Sequence, residues 1–117
     1  MIVVSNRIPV TPGHEEAFEQ LFRASMKHVH DQPGFIRNEI HRRRPMKRDG
    51  RRWIEDPEGE THHEIKTWWR SLADFEGWVG SESFAAAHRE RPSTDMVRGP
   101  AQLSIYEVVD VSEAASR

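Results

Sequence analysis

The chain has 117 residues, enough for one domain in which a layer of helices packs on a single sheet. Hydrophobic residues make up 36 % and charged residues 31 %, a balance typical of a folded domain rather than a disordered chain. Because cysteine is absent, disulfides and thiolate metal sites are excluded. No apolar stretch long enough for export or membrane spanning follows Met1, so we expect a cytoplasmic protein without a membrane partner.

The net charge of −2 conceals a strongly basic segment. Seven cationic side chains lie between positions 42 and 52, opposed only by Asp49, so the rest of the chain is acidic. Such a run usually forms a solvated face, but it also suits an anion such as the carboxylates of a ligand. Trp53 is the one aromatic residue beside it, so we expect no nucleic-acid partner.

Alternating apolar residues predict a first strand over residues 2–10. A helix is then predicted to begin with Thr11 as its N-cap and Pro12 at its first position. Apolar residues at three- and four-residue steps continue this helix until shortly before residues 32–34.

The second half of the sequence predicts two further strand-and-helix units. Strands are expected over residues 35–41 and 62–70, joined by a long basic hairpin loop, residues 42–60, that is ordered only around Trp53 and Ile54. Ser71 is expected to cap a second helix, with Asp74 completing a capping box. The apolar stripe of this helix comprises Leu72, Phe75, Trp78 and Val79.

A break at Gly80 and Ser81 should separate the second helix from a short turn that holds Phe84, Ala87 and His88. After a loop over residues 92–100, a last strand is expected over residues 103–111, and residues 112–117 form a flexible tail.

This order of elements, βαββαβ, predicts an α+β, ferredoxin-like domain over residues 1–111 with a four-stranded antiparallel sheet. One layer of helices covers one face of the sheet. The other face needs a partner, and a second copy of the same sheet is the simplest one, so we expect a homodimer.

Asn6 does not fit a plain core. It shares a strand face with Ile2, Val4, Ile8 and Val10, where an unpaired amide would cost about 1–3 kcal/mol. Either it is a satisfied or exposed structural amide, or it directs a donor towards a ligand in a cavity.

Two further features raise the same choice. In the adjacent pair Trp68 and Trp69, the second ring shares its face with Thr67 and Ile65, a mixed surface more typical of a pocket wall than of a tight core.

His88 follows three alanines whose small side chains leave space. A lone helical histidine is usually a surface or core residue, but in such a space a neutral imidazole can bind the iron of a planar macrocycle. The remaining histidines show no zinc-site spacing.

The chain resembles the antibiotic biosynthesis monooxygenase superfamily, whose members are dimeric α+β barrels, and within it the IsdG-type haem-degrading monooxygenases. The resemblance extends from Val3 to about Val109. It is carried by the following residues: Ser5-Asn6-Arg7, Gln32-Pro33-Gly34-Phe35, Thr67-Trp68-Trp69-Arg70-Ser71, Asp74-Phe75, Trp78, Ser81, Phe84 and Ala87-His88.

The resemblance implies a site and a reaction. His88 would be the axial ligand of haem iron, Trp69 would press on the macrocycle and distort it, and Asn6 would donate a hydrogen bond. Phe22 matches an aromatic position that lines the family pocket. Haem would be both cofactor and substrate, opened oxidatively with O2 and electrons from a donor protein or a small reductant, with release of iron.

Two other functions remain open at this point. One is a cofactor-independent monooxygenase that acts on a quinol or a polyketide-like aromatic, in which His88 is available as a base. The other is a non-catalytic dimer that binds haem or another flat aromatic molecule, since one fold carries many functions.

Overall fold

A computed structural model describes residues 1–89 and 92–115 of the chain. The described residues form six strands and three helices, in this order: β1 (Ile2–Ile8), α1 (Glu15–Ser25), β2 (Phe35–Arg42), β3 (Met46–Asp49), β4 (Arg52–Glu55), β5 (His63–Trp69), α2 (Leu72–Val79), α3 (Glu82–Arg89) and β6 (Gln102–Glu107). A 3-10 turn, Met26–His28, follows α1 directly.

Four of the strands form one antiparallel sheet in the order β2-β5-β1-β6. The central pair, β1 and β5, runs in register from Ile2 opposite Trp69 to Ile8 opposite His63. This topology confirms the predicted α+β, ferredoxin-like arrangement, with the two sequence-distant ends of the chain adjacent in the sheet.

The apolar alternation of β1 is confirmed by burial. Ile2, Val4, Ile8 and Val10 are all buried, at 1–8 % exposure. The strand itself ends at Ile8, two residues earlier than predicted, because Val10 forms only an isolated bridge with Val97 in the loop before β6.

The predicted start of the first helix was wrong. Helix α1 begins at Glu15, and the residue before it, His14, provides no side-chain cap. Thr11 instead opens a turn in which its carbonyl accepts the His14 N–H, and Gly13 has a φ of +93° that is incompatible with a right-handed helix. The Glu15 carboxylate accepts the Gly13 N–H at 2.8 Å and so fixes the turn that leads into the helix.

The basic loop is more ordered than predicted. Strands β3 and β4 pair as a separate two-stranded sheet, with Met46 opposite Glu55 and Asp49 opposite Arg52. The turn between them uses Gly50 at a φ of +64°. Both apolar residues of β4 are exposed, so the hairpin lies outside the main core.

The predicted cap of α2 is confirmed. The Ser71 hydroxyl accepts the Asp74 N–H at 3.1 Å and donates to the Asp74 carboxylate at 2.9 Å. The buried stripe of this helix is narrower than predicted, because Leu72 and Val79 are exposed while Trp78 is buried.

The last elements differ in length from the predictions. Helix α3 is a full eight-residue helix rather than a short turn, and the Ser81 hydroxyl accepts the N–H of Phe84 at its start. Strand β6 ends at Glu107 instead of residue 111. In the predicted tail, residues 116–117 lie outside the described residues.

The core is divided into two clusters. One gathers around Trp69, Val29 and Trp78 beneath α2 and α3, and the other around Phe18 and Val10 beneath α1. Along β1 the two clusters meet on either side of Asn6, because Val4 belongs to the first and Ile8 to the second. The sheet face under the helices is therefore packed at both ends and interrupted in the middle.

Glu19 ties α1 to the sheet through hydrogen bonds with Arg42 and His63. Its carboxylate accepts hydrogen bonds from the Arg42 guanidinium at 2.7 and 2.8 Å, and Oε2 lies 2.6 Å from Nε2 of the buried His63. The hydrogen bonds from Arg42, and then the one from His63, lower the pKa of Glu19 to about 2.

Replacing Glu19 by Gln should make stability less dependent on pH. Since the folded pKa of about 2 lies below the ordinary value of 4.5, the carboxylate stabilises the fold above that ordinary value and loses this effect as the pH falls towards 2. We expect the free energy of unfolding of E19Q to be about 1–3 kcal/mol lower at neutral pH, since the neutral amide pairs poorly with the buried His63 and the half-exposed Arg42. The difference from the natural protein should shrink in urea unfolding as the pH is lowered from 4.5 to 2.

The control for this measurement is Glu16→Gln, an exposed carboxylate on the same helix. If both variants lost the same free energy at every pH, the Glu19 cluster would not hold the helix.

Gly34 allows the loop before β2 to approach the start of α2. It has a φ of +77°, its carbonyl accepts the N–H of Arg70 at 2.8 Å, and a side-chain carbon placed on it would lie 2.6 Å from Cβ of Asp74. The added carbon would collide with Cβ of Asp74 as well as with its carboxylate. Because Cβ is fixed to the backbone, the capped end of α2 would have to move to remove this collision.

Gly34→Ala should therefore cost more stability than Gly13→Ala. Both positions have positive φ, which costs an alanine about 1–2 kcal/mol, but Gly13 has open space around it. We expect G34A to show this cost and an additional loss from the displaced helix, measured as a lower urea midpoint. Equal midpoints for the two variants would mean that the contact with Asp74 is not tight.

Candidate functional site

A cavity of about 410 Å³ lies between the sheet and the helical layer, next to the point where the two core clusters meet. Side chains from β1, β5, the C-terminal half of α1 and its 3-10 turn, α2 and α3 form most of its wall. The described residues that line it are Val4, Asn6, Phe22, Ser25, Met26, Ile65, Thr67, Phe75, Trp78, Val79, Phe84, Ala87, His88, Pro92 and Leu103.

The wall is mostly apolar and aromatic. Polar side chains reach it from Asn6, Ser25, Thr67 and His88, and the described lining residues include no lysine, arginine, aspartate or glutamate. A largely apolar cavity with a few separated polar groups is typical of a site for a small organic ligand.

Asn6 lies at the centre of the sheet, opposite Ile65 on one side and Leu103 on the other. The strand positions two residues away on the same face are the buried Val4 and Ile8. Asn6 itself is half-buried and lines the cavity, so its amide is held by a rigid strand at the place where the apolar row is interrupted.

His88 lies in the last turn of α3 and is oriented by Phe84, one turn earlier. The two rings stack with their centroids 3.8 Å apart, and Nδ1 of His88 lies 2.9 Å from the Phe84 carbonyl oxygen. Since a carbonyl can only accept, Nδ1 carries the hydrogen, and in the neutral ring Nε2 carries the lone pair. Metal-binding histidines commonly have one ring nitrogen fixed in this way by a backbone carbonyl.

The two tryptophans of β5 point to opposite faces. Trp69 is on the helical side, completely buried, and packs edge-on against Phe35 and Phe75. Trp68 is on the other side, with the Arg37 guanidinium 4.1 Å above its ring.

Trp69 is not itself among the lining residues. Its indole lies one layer behind the wall, and it reaches the wall through two side chains that do line the cavity. These are Phe75, in ring contact with it, and Thr67, whose hydroxyl accepts the indole N–H at 2.9 Å. The sequence pattern indicated the correct face but not the depth, because period two gives only the side of a strand.

The structure thus brings three of the four predicted site residues, Asn6, Phe22 and His88, to one cavity. Sequence reasoning placed Thr67 on a face typical of a pocket wall but gave it no role, and it missed Phe84 as part of the site. The signals were available: Thr67 is two positions from Trp69 on a strand, and Phe84 is four positions from His88 on a helix.

Several other site types are absent from the described residues. In residues 1–89 and 92–115, no cluster of three or more histidine, aspartate or glutamate side chains could hold a metal ion. Across the same part of the chain, no helix is long and apolar enough to cross a membrane. The basic segment contributes no described residue to the cavity wall.

The profile of the family described as "Antibiotic biosynthesis monooxygenase" matches residues 1–90, which is more than three quarters of the chain. The chain is a member of this family. The resemblance read from the sequence motifs is thereby confirmed, and the matched residues include β1, β5, α2 and α3 of this chain, which contribute to the cavity wall.

Two relatives carry the name "Heme oxygenase (staphylobilin-producing)". The protein from Staphylococcus saprophyticus is 33 % identical over 95 residues, covering 80 % of this chain and 79 % of its own length. The protein from Staphylococcus haemolyticus is 31 % identical over 102 residues, covering 86 % and 85 % of the two chains.

A solved structure of similar fold is that of MhuD, a heme degrader from Mycobacterium tuberculosis with two hemes bound in its active site. It superimposes with a TM-score of 0.67 at 26 % sequence identity, covering 96 % of this chain and 100 % of that chain. The fold is therefore shared with a heme degrader over almost the whole length of the chain.

Proposed function

We propose that this protein is a haem-degrading monooxygenase, which binds haem in the cavity and opens its macrocycle oxidatively with release of iron. The observation that carries the proposal is His88, whose Nδ1 is fixed by the Phe84 carbonyl at the edge of an apolar cavity. Membership of a family with haem-degrading relatives supports the same conclusion.

The residues present fit haem by their chemistry. His88 would bind the iron through Nε2, and the hydrogen bond from Nδ1 to the Phe84 carbonyl would hold the imidazole plane in place. The apolar wall suits the flat conjugated ring, and Phe22, packed on Phe18 with centroids 4.7 Å apart, contributes an aromatic surface to it.

When bound, haem supplies the iron centre that reacts with O2 and is also the molecule oxidised, so electrons must come from a donor protein or a small reductant. The chain's own residues orient and enclose it. Asn6 would donate a hydrogen bond from the sheet side of the cavity. Trp69 would shape the wall against which the macrocycle rests, acting through Phe75 and Thr67.

The proposed enzyme is a homodimer of the cytoplasm. The sheet face opposite the helices carries Val3, Trp68 and Tyr106, and no described element of this chain covers it. Tyr106 is 56 % exposed, which leaves a large aromatic ring available for a second copy of the sheet.

Hemin titration tests the haem proposal. The purified protein should give a Soret band with hemin, and the band should bleach when a reductant is added in air. His88→Ala should weaken hemin binding at least about tenfold and shift the Soret maximum, because removing a metal ligand costs at least as much as removing a group that supports one. The matched control is His28→Ala, an exposed histidine outside the cavity.

Each result of this titration has a definite meaning. A band that persists after reduction in air indicates a haem-binding protein without degradation. The absence of a band indicates the cofactor-independent monooxygenase, and an unchanged band in H88A removes His88 from the axial role.

Light scattering tests the dimer. We expect a mass of about twice the 13.6 kDa of the chain, and Tyr106→Glu should shift it towards the monomer because it replaces an aromatic ring of the proposed interface, next to Val3, by a charge. Leu72→Glu, a similarly exposed apolar position on the helical side, should leave the mass unchanged. A monomeric natural protein would exclude the paired-sheet arrangement.

A further inference from the structure

The hydroxyl group of Thr67 occupies an unusual place between a buried indole and the cavity. Trp69 is completely buried, so its N–H needs an acceptor within the protein. Thr67, two residues earlier on the same face of β5, provides it at 2.9 Å and itself lines the cavity.

The hydrogen of the Thr67 hydroxyl has few possible acceptors within the protein. A threonine hydroxyl has one hydrogen and two lone pairs, and accepting the indole N–H directs its own hydrogen away from the indole. The backbone carbonyls of β5 are engaged in ladders with β1 and β2, because β5 lies between those strands. The cavity is the remaining direction.

The orientation of this hydroxyl is well constrained. Threonine is β-branched, so its χ1 angle has few allowed values in a strand. The indole that holds it is packed on two sides by Phe35 and Phe75. Accepting a hydrogen bond also polarises the hydroxyl and makes it a stronger donor.

Thr67 lies close to the other polar group of the sheet. It is opposite Val4, whereas Asn6 is opposite Ile65, so the two are diagonal neighbours at about 7–8 Å on one face. The cavity wall therefore carries two polar side chains on one sheet face, one from each central strand.

We propose that the Thr67 hydroxyl donates a hydrogen bond to an acceptor atom of the ligand in the cavity, and that Trp69 is the positioning residue that aims it. This inference rests on the proposed function for the identity of the ligand, which is haem. In this proposal the indole N–H of Trp69 orients the Thr67 hydroxyl, which a ring of similar size without an N–H would not do.

Two substitutions separate these roles. Thr67→Val preserves the shape of the side chain and removes the hydroxyl, whereas Thr67→Ser retains the hydroxyl. We expect T67V to lower the rate of hemin bleaching about 3- to 10-fold, the effect of losing one neutral hydrogen bond, and to shift the Soret maximum. T67S should remain within about twofold of the natural protein.

Trp69→Phe removes the indole N–H and should lower the same rate. Because Thr67 and Trp69 act as one unit, the double variant T67V/W69F should be no slower than the slower single variant. Trp68→Phe, the neighbouring indole on the opposite face, is the matched control and should bleach hemin at the natural rate.

The inference is overturned if T67V bleaches hemin at the natural rate with an unchanged Soret maximum, or if the effects of T67V and W69F multiply. Urea unfolding of the five variants and the natural protein without hemin shows whether they are folded, so that a loss of activity is not confused with a loss of structure. If the natural protein gives no Soret band, the proposed function fails and this inference with it. If it binds and bleaches hemin but T67V matches it, this inference alone fails.

Discussion

The interruption of the apolar row at Asn6 is the constraint on which the rest of the structure depends. A central strand of a sheet that is covered by helices normally buries an unbroken line of large apolar side chains on the face under the helices. Here Val4 and Ile8 belong to different clusters, and the amide between them lines the cavity. The cavity is therefore a consequence of the division of the core into two clusters and not a defect in the packing of either cluster.

The two halves of the core are stabilised by different means. The cluster beneath α2 and α3 is built from aromatic rings in edge-on contact, with Trp69 at its centre. The cluster beneath α1 is bordered by a charged network, in which Glu19 joins Arg42 and His63. A site between two independently anchored regions can be hollow without destabilising either, since each region has its own contacts.

Much of the architecture could be predicted from the sequence, because it follows from local rules. The alternation of apolar residues identified the buried face of β1. The N-cap preference of serine correctly predicted that α2 begins after Ser71. The same rules identified Asn6 and His88 as polar side chains that do not fit a plain apolar core. Both residues line the cavity.

The failures have equally specific causes. The positive φ of Gly13 moved the start of α1 by three residues, and sequence alone does not reveal which glycine uses that freedom. The pairing of β3 with β4 was hidden because both strands are short and charged, without an apolar face to signal them. The depth of Trp69 depends on Phe35 and Phe75, which come from other elements, so no pattern along β5 could reveal it.

Met26 packs against both core clusters and also lines the cavity. Its side chain is unbranched, with a polarisable sulfur and several rotatable bonds, whereas its neighbours in the wall include stiff aromatic rings. A change of its rotamer would alter the width of the hollow while both clusters kept their positions. The 3-10 turn that carries Met26 thus places a conformationally adaptable side chain in the cavity wall at the junction of the two clusters.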